Sequence, residues 1–174
     1  MVSWNNIISE TPVRRKVFIS YYHGGDQRYY EDFSNSFGKS YEVFSDRSLD
    51  RARDSGDPEY IIRYIRENHL SGSSTLIVLC GLQTAYRKYV DWEIAAGLRR
   101  EMALVGIKLP SLPVVNDASS KPARLQDNID SGYAEWIWWE NAQDVNALRG
   151  CIERANGRRK ALIQNFRPRM VRNG

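Results

Sequence analysis

Cysteine and histidine are scarce in this chain. Its 174 residues include two cysteines, Cys80 and Cys151, and two histidines, His23 and His69. These residues form no cluster along the sequence, so neither a structural zinc site nor a histidine-centred hydrolase has its parts, and we expect no metal. Cys80 lies in a predicted core strand, where a thiol serves as a small hydrophobe. A reduced, cytoplasmic protein is therefore the simplest interpretation.

Long apolar runs are also lacking. No segment approaches the ~18 consecutive apolar residues of a membrane span, and no secretory signal peptide opens the chain. We therefore expect no association with a membrane. The length of 174 residues suits one domain with a substantial core, since chains of this size bury most of their apolar surface.

Positive charge is unevenly distributed. Residues 149–174 contain eight Arg or Lys against one acidic residue, a balance of +7, whereas the whole chain carries +4. A basic tail could contact an acidic partner, but we favour a solvated helix face that runs into a loose terminus. No nucleic-acid-binding motif accompanies it, so no nucleic acid is expected. The predicted organisation is a lead-in over 1–14, a domain over 15–157 and a basic tail over 158–174.

The most informative stretch is a buried strand followed by a helix. Residues 75–80 are apolar at nearly every position, as in a central parallel strand that is covered on both faces. A helix is predicted from about residue 86, with Val90, Ile94 and Leu98 as its buried stripe. Glu93 lies beside that stripe, on the helix that follows the carboxyl end of the strand, where open α/β sheets bind ligands. From spacing alone, an ordinary boundary glutamate of a surface helix is the simpler interpretation of Glu93.

Strand and helix patterns alternate along the rest of the chain. Strands are predicted over 16–21, 41–44, 75–80, 103–109 and 133–139, and helices over 28–39, 58–70, 86–98 and 142–156. Asp57 is the predicted cap of the second helix. A charged loop over 46–58 and an irregular stretch over 110–131 interrupt the pattern. This alternation predicts an α/β fold, a flavodoxin-like, doubly wound, five-stranded parallel sheet with helices on both faces.

Several of these segments resemble the TIR domain family in order and spacing. Residues 17–21 resemble its opening strand, 41–46 its second strand entering the long BB loop, and 89–94 the helix of NAD-consuming TIR enzymes that carries the catalytic glutamate. The resemblance covers about residues 15–110. The proline-broken segment after the fourth strand and the Trp-rich fifth strand are most similar to the TIR subunits of the bacterial Thoeris antiphage system, the ThsB-like proteins.

The resemblance implies an enzyme that cleaves the nicotinamide–ribose bond of NAD, with NAD as substrate and no separate cofactor. Glu93 matches the catalytic glutamate and would stabilise the oxocarbenium-like charge on the ribose. Its product would be an ADP-ribose-derived, cyclic signalling nucleotide that diffuses to a downstream effector. TIR enzymes also self-associate, and we expect the same here.

The resemblance implies further substrate-binding residues around Glu93. Tyr89 stands one turn before Glu93, where the family commonly has Trp. The other matched positions lie at the end of the first strand and at the start of the BB loop: Phe18, Ser20, Tyr21, Tyr22, Asp46 and Arg47. Arg51 or Arg53 could replace Arg47 at the pyrophosphate.

Three other functional classes were compared with this sequence: a non-catalytic TIR module, a receiver-like phosphoacceptor and a nuclease. A non-catalytic TIR module would act by protein–protein assembly and would use the 46–58 loop as an interface. A receiver-like phosphoacceptor needs acidic residues at the ends of the first and third strands to bind Mg²⁺, and those ends are Tyr21 and Cys80. A nuclease is equally unsupported, since no carboxylate cluster for a metal is visible.

Overall fold

Strands and helices alternate through the residues that the computed structural model describes, 14–45, 57–65, 67 and 70–174. The elements are β1 (Arg15–Ser20), α1 (His23–Phe37), β2 (Tyr41–Phe44), α2 (Pro58–Tyr64), β3 (Thr75–Cys80), α3 (Lys88–Arg99), β4 (Ala103–Lys108), β5 (Val114–Val115), β6 (Ala118–Ser119), α4 (Ala123–Asp130), β7 (Glu135–Trp138), α5 (Trp139–Ala142) and α6 (Val145–Asn156). Residues 1–13 of the predicted lead-in and residues 46–56 of the predicted 46–58 loop lie outside these residues.

The strands β2, β1, β3, β4 and β7 form one parallel sheet in that order. β3 is buried at all six positions because it pairs with β1 on one side and β4 on the other, which accounts for its apolar run. This sheet confirms the predicted flavodoxin-like α/β fold. The chain reverses direction across the sheet between β1 and β3, so the topological switch point lies at the carboxyl ends of these two strands.

Helices cover both faces of the sheet. Alternate residues of each strand point to opposite faces, so Phe18 and Val78 belong to a core with α2, α3 and α4, here called the α3 face. Val17 and Ile77 belong to a second core with α1, α5 and α6, here called the α1 face. Each fully buried side chain of this size stabilises the fold by about 1.5–3 kcal/mol. The sheet is therefore held from both sides, as predicted.

Helix α1 begins earlier than its sequence suggests. A helix was predicted over 28–39, but the helix spans His23–Phe37 and contains the adjacent glycines Gly24 and Gly25 in its first turn. A side-chain carbon at Gly24 would lie 2.5 Å from the Tyr22 hydroxyl oxygen. Because glycine has no side chain, the Tyr22 ring can pack against the start of the helix. This packing outweighs the low helix propensity of the two glycines.

The stretch 110–131 is not irregular, as predicted, but contains a hairpin and a helix. β5 and β6 pair antiparallel, and Asn116 and Asp117 between them have φ of 49° and 62°, the backbone that a tight two-residue hairpin turn requires. Helix α4 follows Pro122. The helix has only eight residues, its core contacts Leu125 and Ile129 span a single turn, and its fully buried residue Arg124 is of a type usually exposed, so the sequence pattern did not reveal the helix.

Helices α2 and α6 each begin after a capping aspartate. Asp57 accepts a hydrogen bond from the Glu59 backbone N–H at 3.0 Å, which confirms it as the cap of α2. Asp144 caps α6 by accepting from Ala147 N–H at 2.8 Å, so this helix begins three residues later than predicted. The Val145 side chain is exposed at the first position of the helix.

The basic C-terminal segment, residues 158–174, packs against the domain. The expectation of a loose terminus is wrong, because the Trp92 indole N–H donates to the Met170 carbonyl at 2.7 Å and the Gly174 N–H donates to the Tyr86 carbonyl at 2.9 Å. The Asn173 amide oxygen accepts from the Lys88 N–H at 3.0 Å, at the first position of α3. The segment therefore covers α3 from outside, and residues 90–98 of this helix are buried on every side.

Candidate functional site

Glu93 lies at the switch point of the sheet, in the second turn of α3. It is 5 % exposed, so it is not the exposed boundary glutamate of a surface helix. The Ser20 hydroxyl, at the last position of β1, donates a hydrogen bond to Glu93 Oε2. Ser20 is itself buried. The fold thus brings together two residues that were both predicted for the site and that lie 73 positions apart.

This arrangement has a defined chemical capability. A buried carboxylate is costly unless polar groups satisfy it, and the Ser20 hydroxyl fixes one of the Glu93 oxygens. A preoriented negative charge in a water-poor setting stabilises positive charge that develops beside it. It can also accept hydrogen bonds from hydroxyl groups of a ligand, such as those of a ribose.

The other predicted residues of the first strand are not all beside Glu93. Phe18 lies on the α3 face but is 0 % exposed in the core. Tyr21 points to the α1 face, where its hydroxyl donates to Gln27 Oε1 at 2.6 Å and its ring stacks on Tyr30 with centroids 4.9 Å apart. The alternation of side chains along a strand separates Tyr21 from Ser20. The substrate-binding residues predicted at the end of the first strand are therefore divided between the two faces of the sheet.

Tyr22 and Tyr89 lie near the ends of the elements that carry Ser20 and Glu93. The Arg87 guanidinium is 3.9 Å from the centroid of the half-buried Tyr22 ring, a cation–π contact that joins the end of β1 to the start of α3. Tyr89 packs edge-on against Trp92, with centroids 5.6 Å apart, and Lys88 lies 5.1 Å from its centroid. Both tyrosines remain candidate contacts, and the predicted residues Asp46 and Arg47, with Arg51 and Arg53, lie outside the described residues.

A second buried carboxyl group, not predicted for the site, lies at the same edge of the sheet. Asp26 is 4 % exposed in the first turn of α1, and burial raises the pKa of its carboxyl group. Thr84 Oγ1 lies 3.4 Å from Asp26 Oδ2 and accepts from the Gly81 N–H at 2.8 Å. A side-chain carbon at Gly81 would lie 2.4 Å from that carboxylate. Glycine directly after a central strand was the available signal for this close approach.

The outer side of α3 carries a structural ion pair. Arg124 Nε and Nη2 donate to the two oxygens of Asp91 at 2.9 and 3.3 Å, and the two side chains are 1 % and 6 % exposed. The Met170 N–H also donates to Asp91, at 2.9 Å. Because both ions are desolvated, each depends on the other. This pair joins α3, α4 and the C-terminal segment and holds the helix that presents Glu93.

The side chains of the described part of the chain include no group of three or more His, Cys, Asp or Glu residues that could hold a metal ion. None of its helices is both long enough and apolar enough to cross a membrane.

The parallel sheet with order β2-β1-β3-β4-β7 and the carboxylate at its switch point define a TIR-like domain. The family described as Thoeris protein ThsB, TIR-like domain, matches residues 18–113, which is more than half of the 174 residues. The chain therefore belongs to the Thoeris ThsB family. No curated protein matches it. Because Thoeris is an antiphage system, membership indicates a role in defence against phage.

Proposed function

We propose that this protein cleaves the nicotinamide–ribose bond of NAD through Glu93 and makes an ADP-ribose-derived, cyclic signalling nucleotide. The observation that carries the proposal is the buried Glu93 carboxylate, which Ser20 holds at the carboxyl edge of β1. Membership of the ThsB family supports it. The protein would work during phage defence, with self-association or an infection-derived trigger switching it on and a separate effector receiving the nucleotide.

The reaction makes modest demands on the protein. As the glycosidic C–N bond breaks, its electron pair leaves with the nicotinamide nitrogen, which becomes neutral, so no general acid is required. Positive charge accumulates on the ribose, where the Glu93 carboxylate stabilises it. Attack by a nucleophile of the ADP moiety closes a ring and releases a proton, whereas attack by water gives ADP-ribose. One preoriented carboxylate supplies the electrostatic part of this catalysis.

The test compares wild type with Glu93→Gln. Nicotinamide release from NAD is measured in lysates of phage-challenged cells that express each protein. Gln keeps the size of the side chain and removes its charge, so we expect the rate to fall by at least about a hundredfold. Mass spectrometry of the wild-type product then identifies the reaction.

The matched control is Glu42→Gln, an exposed glutamate on β2 in the groove at the opposite edge of the sheet. It should release nicotinamide at the wild-type rate. Equal rates for wild type and Glu93→Gln, with both proteins folded by circular dichroism, would overturn the enzymatic proposal. That result would favour a TIR module that acts only by protein–protein assembly.

A further inference from the structure

Lys108 ends β4 at the same edge and on the same face of the sheet as Ser20. β4 pairs with β3 so that Lys108 is opposite Cys80, and β1 pairs with β3 so that Ser20 is opposite Val78. Lys108 is thus two strands across and two residues further along than Ser20. With strands about 4.8 Å apart and about 3.3 Å per residue, the two Cα atoms are about 12 Å apart.

Lys108 is a buried cation. It is 7 % exposed, its Nζ donates to the Leu109 carbonyl at 3.3 Å, and the same atom lies 4.9 Å from the Trp138 ring centroid. Within the described chain, Lys108 makes no ion pair with a carboxylate. Burying a charged group without a counter-ion is costly. An unmatched, nine-tenths-buried ammonium group at the ligand-binding edge therefore favours an anionic ligand.

A second lysine lies close to this position. Lys121, just before α4, has its Nζ 4.7 Å from the Trp136 ring centroid. The Lys121 charge also opposes the rise that burial causes in the pKa of the Cys80 thiol. Cys80 is the neighbour of Lys108 across the β3–β4 pair. Two ammonium groups and two indole rings of β7 thus lie at one edge of the sheet.

The acidic groups near the two lysines form no described ion pair with them. Burial raises the pKa of the Cys80 thiol far above its ordinary value, so this side chain is uncharged. The described hydrogen bond of Asp26 is with Thr84. Within the described chain, neither Lys108 nor Lys121 is therefore paired with a carboxylate.

We propose that Lys108 and Lys121 bind the pyrophosphate of the nucleotide substrate and of its ADP-ribose-derived product. This inference rests on the proposed function, because it takes Glu93 as the site of the ribose. The Lys108 side chain turns toward Trp138 of β7, so the distance of about 12 Å between strand positions is not shortened and accommodates a ribose and its pyrophosphate. Two point charges suit the two phosphates.

The experiment measures ligand binding in the Glu93→Gln background, so that no turnover occurs. Tryptophan fluorescence and calorimetry report the binding of ADP-ribose, inorganic pyrophosphate and nicotinamide riboside to Lys108→Met, Lys121→Met and Lys108→Arg. Each Met variant should weaken ADP-ribose and pyrophosphate at least about tenfold, because it removes a charge-assisted hydrogen bond. Nicotinamide riboside, which has no phosphate, should bind unchanged, and Lys108→Arg should retain part of the affinity.

Lys39→Met is the matched control, because Lys39 is an exposed lysine at the amino edge of the sheet, and it should bind ADP-ribose as the parent does. Unchanged ADP-ribose binding in both Met variants would overturn the inference. If Lys108→Met fails to fold, the partly exposed Lys121 decides the question through its own variant.

Failure of the inference and failure of the proposed function give different results. If wild type cleaves NAD and both Met variants keep its KM, the pyrophosphate inference fails and the proposed function stands. If wild type does not cleave NAD but pyrophosphate binding depends on Lys108, the anion site stands and the proposed function fails.

Discussion

Helix α3 carries two buried carboxylates, Asp91 and Glu93, whose surroundings differ sharply. They are 4 % and 5 % exposed and two positions apart, so they point about 200° away from each other around the helix. Asp91 faces outward to a buried arginine and the C-terminal segment. Glu93 faces the carboxyl edge of β1 and accepts a hydrogen bond from Ser20. One helix therefore has a structural side and a side that faces the candidate site.

The difference shows why burial alone does not identify a functional carboxylate. The Asp91 charge is matched within the fold by the bidentate Arg124 guanidinium. Glu93 accepts a hydrogen bond from the Ser20 hydroxyl at the edge where α/β sheets bind ligands. The structural pair keeps α3 in place, and the position of α3 determines where the Glu93 carboxylate lies.

The largest effect is expected from a substitution on the structural side of α3. Arg124→Met leaves the buried Asp91 without its cation and should lower the free energy of unfolding by about 3–5 kcal/mol, measured by urea denaturation. Arg167→Met is the control, because it removes a half-exposed ion pair with Asp127 and should cost about 1 kcal/mol or less. Equal losses in the two variants would contradict a structural role for the Asp91–Arg124 pair.

A smaller effect is expected on the side that faces the site. Ser20→Ala removes the donor to Glu93, a hydrogen bond to a charged group worth about 1.5 kcal/mol, so the kcat of NAD cleavage should fall about tenfold. Ser20→Thr keeps the hydroxyl and should restore most of the rate. A kcat unchanged by Ser20→Ala, measured by nicotinamide release, would show that Ser20 does not position Glu93.

The smallest effect concerns the start of α3. Asn173→Ala removes the acceptor for the Lys88 N–H and should cost about 0.5–1 kcal/mol, the lower part of the range for helix caps because Asn173 is exposed. Hydrogen exchange should accelerate in the first turn of α3. Asn173→Asp keeps an acceptor oxygen and should exchange as wild type does, whereas equal acceleration in both variants would argue against the cap.

Some features could be predicted from the residue pattern because they depend on short-range periodicity. The unbroken apolar run of residues 75–80 indicated a central strand, and the structure buries every residue of it. The position of Glu93 beside the stripe of Val90 and Ile94 placed it near the sheet. Hairpin β5–β6 and helix α4 were missed, since two-residue strands and an eight-residue helix are too short to show a clear period.

Contacts between distant segments had no such signal. Trp92 and Met170 are 78 positions apart and are joined through a backbone carbonyl, which any residue type could supply. The basic composition of the tail predicted solvation, but Arg167 and Arg169 pair with Asp127 and Glu59. Charge patterns do not reveal which partner a fold will bring into reach.

The sequence by itself determined the α/β class, the central strand and the helix that bears Glu93, because burial on two faces requires an unbroken apolar strand and helix packing requires a repeating apolar stripe. Only the tertiary structure decided that Ser20 reaches Glu93 while Tyr21 does not, that Lys108 lies at the same edge, and that the C-terminal segment covers α3. These outcomes depend on strand order, register and the face of each side chain, and those are set by the packing of the whole chain.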